Sequence, residues 1–99
     1  MPLPPFLSPL EQGDPVFAGV IEKVASASMG PGALDQKTKL LIALALDAAH
    51  GTAQGVSSIA QALRAMGASD AEIAEALRIA YYASGNSILT ASFAAFRKP

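Results

Sequence analysis

Residues 34–67 constrain this chain more than any other stretch. LDQKTKLLIALALDAAH runs unbroken to His50, Gly51 interrupts it, and TAQGVSSIAQALRAM continues as far as Gly67. Every residue from 40 to 46 is apolar. A helix with apolar residues on all sides must be covered on most of them, by its own fold or by a partner. The second segment places Val56, Ile59, Leu63 and Met66 on one side, with Gln54, Ser57, Gln61 and Arg64 largely on others. Two helices meeting at a glycine corner are therefore predicted, with the free N–H groups and positive dipole end of the second helix at the corner.

The flanking segments have the same helical grammar. Asp14-Pro15 is a helix start, a capping side chain followed by proline at the first helical position. Phe17, Val20, Ile21 and Val24 then recur at helical spacing until Met29-Gly30-Pro31-Gly32 ends the element. Asp35 is placed to cap the next helix. Ser69 and Glu72 have capping-box spacing, and Ile73, Leu77 and Tyr81 carry a further helix. Ser84-Gly85-Asn86-Ser87 reads as a break, with Asn86 as a cap. Leu89, Phe93 and Phe96 mark a short last helix. No stretch alternates as a strand would. The expectation is an all-α, five-helix domain with helices at 15–29, 35–50, 52–66, 70–83 and 87–97, within a single domain spanning 14–99. Residues 1–13, rich in proline, are expected as an extended arm without regular structure. Leu3, Phe6, Leu7 and Leu10 suit it to docking as a strap, the alternative being a free tail.

Composition narrows the function classes. Of the 99 residues, 52% are hydrophobic and only 15% charged, against about 25% charged in ordinary domains. So small a chain has too few charges to cover its surface, and a homo-oligomer is expected. A net charge of −1 offers no attraction for nucleic acid or anionic lipid. There is no cysteine, which excludes disulfides, thiol redox chemistry and thiolate metal sites. One histidine argues against a structural zinc site, and neither a metal nor an organic cofactor is expected. The longest apolar run is too short to span a bilayer. The start, MPLPPFLSPL, lacks a basic region, and a cytoplasmic protein is expected.

Leu-Ile-Ala-Leu-Ala, a glycine corner, then Gly67-Ala68-Ser69 leading into AEIAEAL resembles the carboxymuconolactone decarboxylase and alkylhydroperoxidase D-like family over residues 33–96. That resemblance implies an all-helical subunit assembled as a trimer or hexamer. It also implies where chemistry would lie. The peroxidase branch carries Cys-x-x-Cys at the start of the third helix, a histidine four residues on and a glutamate on the preceding helix. The matching positions here are Thr52, Gly55, Ile59 and Leu40. A hydroxyl forms no mixed disulfide, and glycine or isoleucine relays no proton, so thiol peroxidase activity is excluded. The decarboxylase branch lacks the cysteines but carries a histidine where this chain has Ile59. It also has a Tyr-Gly-Pro-like stretch that Tyr81 to Asn86 matches only loosely.

The candidate site residues gather at the corner. Asp47 lies in the last turn of its helix, where a carboxylate faces the negative dipole end. His50 follows three residues later on the same face. One reading makes His50 a favourable dipole partner and Asp47 a solvated surface acid; the other makes His50 a general acid or base oriented by Asp47. Thr52 is a helix cap or, with the free N–H groups, a holder of a small carboxylate ligand. Gly55 is a packing residue or part of a ligand cradle. Tyr81 and Tyr82 are core or interface residues, one ring buried and the other hydroxyl turned to the corner. Two functions follow. The first is an oligomeric scaffold or small-ligand binder without thiol chemistry. The second is a cofactor-free lyase or isomerase of decarboxylase type acting through His50.

Overall fold

The computed structural model describes residues 3–98, and within them helices and turns alone, with no strand. Two units are distinguishable, one reaching Gln36 and one running from Lys37 onward.

In the first unit, a 3₁₀ turn, Pro5–Leu7, precedes a single helical turn, α1, Leu10–Gly13. This corrects the extended arm expected from its prolines. Proline opposes a helix interior but suits a first turn, where its fixed φ is already helical and no N–H is needed. Pro5 opens the 3₁₀ turn. The carbonyls of Pro4, Pro5 and Pro9 accept the N–H groups of Leu7, Ser8 and Gly13 at 2.9, 3.1 and 3.1 Å. Leu3 is buried, whereas Phe6 is exposed.

Asp14 joins α1 to α2, Pro15–Met29. Its N–H donates to the Leu10 carbonyl at 2.8 Å, and its Oδ1 accepts the Phe17 N–H at 3.1 Å. One residue thus closes one helix and opens the next, as Asp-Pro predicts. Ala18 is the buried residue of α2. Phe17, Val20 and Val24 recur at helical spacing, yet all are exposed. Periodicity identified the apolar face without specifying what covers it.

The second unit contains α3, Gln36–Ala49, from Lys37 onward, with α4, Ala53–Ala65, and α5, Asp70–Phe96. Leu44 of α3 and Leu63 of α4 are fully buried, with Ala60, Ala68 and Ile73 around them. Leu40, Leu41, Val56, Ile59, Ala76 and Leu77 complete this core. It therefore draws on α5 only near its amino end.

Both corners of this unit turn on a glycine in the left-handed region, Gly51 at φ 75° and Gly67 at φ 93°. After α3, Thr52 N–H donates to the Asp47 carbonyl at 2.9 Å and Gly51 N–H to that of Ala48 at 3.1 Å. After α4, Ala68 N–H donates to the Leu63 carbonyl at 2.9 Å and Gly67 N–H to that of Arg64 at 3.0 Å. Each is a Schellman stop, in which a left-handed residue lets two orphan carbonyls find donors.

The expected break at residues 84–87 is absent, and α5 continues through it for 27 residues. Asn86 is therefore not a cap. Serine, threonine, glycine and asparagine favour turns because their side chains compete for backbone groups or restrain it little. Here the hydroxyls bond back along the helix. Ser87 donates to the Ser84 carbonyl at 2.8 Å, Thr90 to that of Ser87 at 3.1 Å and Ser92 to that of Leu89 at 2.6 Å. That back-bonding satisfies the polar groups without ending the helix.

Candidate functional site at the α3–α4 corner

The two Schellman corners differ in one respect. This motif usually packs an apolar residue four positions before its left-handed glycine against the residue just after it. At Gly67 the pair is Leu63 and Ala68, both in the core. At Gly51 the corresponding pair is Asp47 and Thr52, with the same backbone bonds. A polar pair has replaced an apolar one.

The carboxylate of Asp47 lies over the first turn of α4. A Cβ built on Gly55 would collide with Asp47 Oδ2 and stand 2.9 Å from its Cγ and 3.3 Å from Thr52 Cγ2. The carboxylate occupies the space that a side chain at residue 55 would need, so any such side chain requires Asp47 to move. Thr52 holds the N-cap position of α4 but contributes no side-chain cap bond. Asp47 thus brings negative charge to a helix start whose own capping hydroxyl is unused. Its placement, unfavourable for the helix that carries it, suits the next one.

The other candidates lie around this point without converging on it. His50 is exposed, and its N–H donates to the Leu46 carbonyl at 3.0 Å. No hydrogen bond joins its ring to Asp47, whose carboxylate is turned to Gly55. A recess of about 300 Å³ is lined by Ala48, Gly51, Thr52, Ala53 and Val56. A second, of about 360 Å³, is lined by Ala48, Ala49, Leu77, Ala80, Tyr81 and Ser84. Thr52 and Tyr81 thus lie on recesses that meet at Ala48, while Asp47 and His50 line neither. Tyr82, together with Tyr81, borders a larger groove along α5. The tyrosines are 83% and 72% exposed, correcting the expectation of one buried ring. Because α5 continues straight past them, neither is folded back onto the core.

A carboxymuconolactone decarboxylase family model matches residues 15–98. The chain belongs to the carboxymuconolactone decarboxylase family. No curated protein and no solved structure shows a match. The all-helical architecture agrees with that membership, and these 99 residues hold no cysteine to serve as a thiol. Of the positions that the sequence aligned with peroxidase side chains, Leu40 and Ile59 pack against the core and Gly55 lies under Asp47. Apolar packing and an internal carboxylate occupy those places.

Elsewhere in the unit, Lys37 Nζ meets Glu72 Oε2 at 2.7 Å, linking the amino ends of α3 and α5. Glu72 also completes the capping box, Oε1 accepting the Ser69 N–H at 2.9 Å while Ser69 Oγ accepts the Glu72 N–H at 3.1 Å. The hydrogen bond from Lys37, then that from the Ser69 backbone, holds the Glu72 carboxyl below the usual range. The role of Asp47 and the link from Lys37 to Glu72 were both missed at the sequence level, whereas the capping box of Ser69 and Glu72 was read from its spacing. The signal for the first was present: one glycine corner is flanked by Leu63 and Ala68, the other by Asp47 and Thr52.

Proposed function

We propose that this carboxymuconolactone decarboxylase family member is an oligomeric helical scaffold that binds small molecules without thiol chemistry. The observation carrying this reading is the Asp47 carboxylate over Gly55 at the start of α4. A lyase at this corner would use the same helix start to hold the carboxylate of its substrate. With an internal carboxylate there, an anionic ligand meets repulsion as well as a filled space. His50, exposed and unpaired with Asp47, lacks the orienting contact that a general acid needs. The recess beside Thr52, lined mostly by apolar atoms, suits a small uncharged ligand better than an acid.

Two measurements on purified protein test this. Carbon dioxide release from a panel of β-keto acids should be no faster with wild type than with His50→Ala, and hydroperoxide turnover with a dithiol donor should be absent. Decarboxylation lost in His50→Ala would overturn the scaffold reading in favour of the lyase. Thermal shift with small neutral aromatic compounds should show stabilisation that Thr52→Val or Ala48→Leu diminishes.

A further inference from the structure

α5 outruns the core it helps to build. Core contacts end near Leu77, and the helix continues to Phe96. From residue 79 to residue 96 it carries no charged side chain. Yet Ile79, Tyr82, Leu89, Phe93 and Phe96 are all exposed, between 59% and 74%. A water-facing helix ordinarily shows charge on its open side.

Most of the large exposed residues fall in one row, with Tyr81 and Ile88, 83% and 71% exposed, on the neighbouring face. Ile79, Tyr82, Asn86, Leu89, Phe93 and Phe96 follow one another at steps of three and four, the a and d positions of a heptad. At 100° per residue this row lies on the face of α5 opposite Ile73, Ala76 and Leu77, which enter the core. The row drifts slowly around the helix, as a seam that supports a left-handed supercoil does. Its flanks, Ala83, Gly85, Thr90 and Ser92, are small and uncharged, so another helix can approach closely. A Cβ on Gly85 would meet nothing within 4 Å, which leaves an open notch beside Asn86. That notch forms part of a groove of about 870 Å³ beside the row, lined by Tyr82, Asn86 and Leu89 from the row and by Leu77, Tyr81 and Ile88 from the neighbouring face.

We propose that α5 pairs along this seam with α5 of a second copy of the chain, with Asn86 fixing the register. The proposal rests on the oligomeric reading above and adds the surface that makes it. The row exposes about 700 Å² of side chain per subunit, the ceiling on what pairing can bury, against roughly 800 Å² per partner in a stable interface. It extends for about 27 Å, some five helical turns. A lipid surface would require basic residues along the polar flank, and residues 79–96 have none. No described helix is long and apolar enough to cross a membrane. A two-fold pairing brings both Asn86 side chains close to the axis, where each amide can satisfy the other. A single buried asparagine at such a position selects register at some cost in stability.

Because the chain has no cysteine, single-cysteine variants give a clean readout. With mild oxidation of dilute full-length protein, Asn86→Cys should form covalent dimers at least tenfold faster than Ala91→Cys, which lies on the far side of the heptad. Leu89→Glu with Phe93→Glu should cut the light-scattering mass at 10 μM at least twofold while helical circular dichroism persists. Equal cross-linking of the two cysteine variants, with an oligomeric mass kept by the double variant, would overturn the seam and leave the oligomeric reading standing. A wild-type mass of 10.1 kDa, that of one chain, would overturn both.

Discussion

Asp47 and Gly55 explain each other. Glycine in a first helical turn costs about 1 kcal/mol relative to alanine, so exchanging it should ordinarily stabilise a protein. At residue 55 the added methyl meets the Asp47 carboxylate, and Gly55→Ala should instead destabilise. In an Asp47→Ala background the same exchange should regain its benefit, so a double-mutant cycle from urea melts should give a coupling of about 1 kcal/mol or more. Additive single changes would show that the carboxylate does not rest on the turn. Sequence alone marked both positions as departures from local rules, Asp47 at the wrong helix end and Gly55 inside a first turn. It placed Asp47 with His50, one turn away on the same helix, because spacing reports neighbours within an element. The actual neighbour lies across the corner, and that required the direction in which α4 leaves Gly51.

Among the elements, α5 opens on the most complete local motif in the chain. Ser69 and Glu72 cap each other's backbone, and Lys37 joins from α3. Replacing Ser69 with alanine should cost about 1 kcal/mol in a denaturant titration. The acid side gives a second check. The Glu72 carboxyl is held below its ordinary value, so the folded state binds its proton less readily than the unfolded state. The stabilisation is present in full above the unfolded value near 4.5 and is lost as pH falls through the lower folded value. Wild type should therefore lose more stability than Glu72→Gln between about pH 5 and pH 3 in urea melts at each pH. Helix starts of this kind were legible, since Asp14-Pro15 and Ser69 to Glu72 each carry their own side-chain partner. The run at residues 84–87 was misread because its residue types permit a turn without compelling one. No left-handed glycine follows it, unlike Gly51 and Gly67.

For the molecule as a whole, large apolar side chains on α2 and α5 remain exposed in the single chain. Composition anticipated this surplus, since 15% charge cannot cover so small a body. Heptad order within the surplus became visible only once α5 was one helix, because a break at residue 85 splits the row. The amino-terminal arm contributes in a different way. Leu3 is buried, and removing residues 1–12 should forfeit about 2 kcal/mol of apolar burial, lowering the melting temperature by several degrees. An unchanged melting curve would make the arm a passive tail.

The helix that begins inside a core and ends outside it is geometrically one rod, but its amides need not open together. Exchange with deuterated water follows local opening, and opening is resisted where side chains are packed. The turns carrying Ile73, Ala76 and Leu77 should exchange only with the unfolding of the α3–α4 core. Those beyond Ser84, loosened by Gly85 and three hydroxyls bonded to their own backbone, should exchange by fraying. Protection of residues 86–96 should therefore rise with protein concentration while that of residues 72–77 stays constant. Mass-resolved exchange at two dilutions would read this directly. A carboxyl half protected equally at both would mean that its order owes nothing to a neighbour, and α5 would then be a single cooperative unit from end to end.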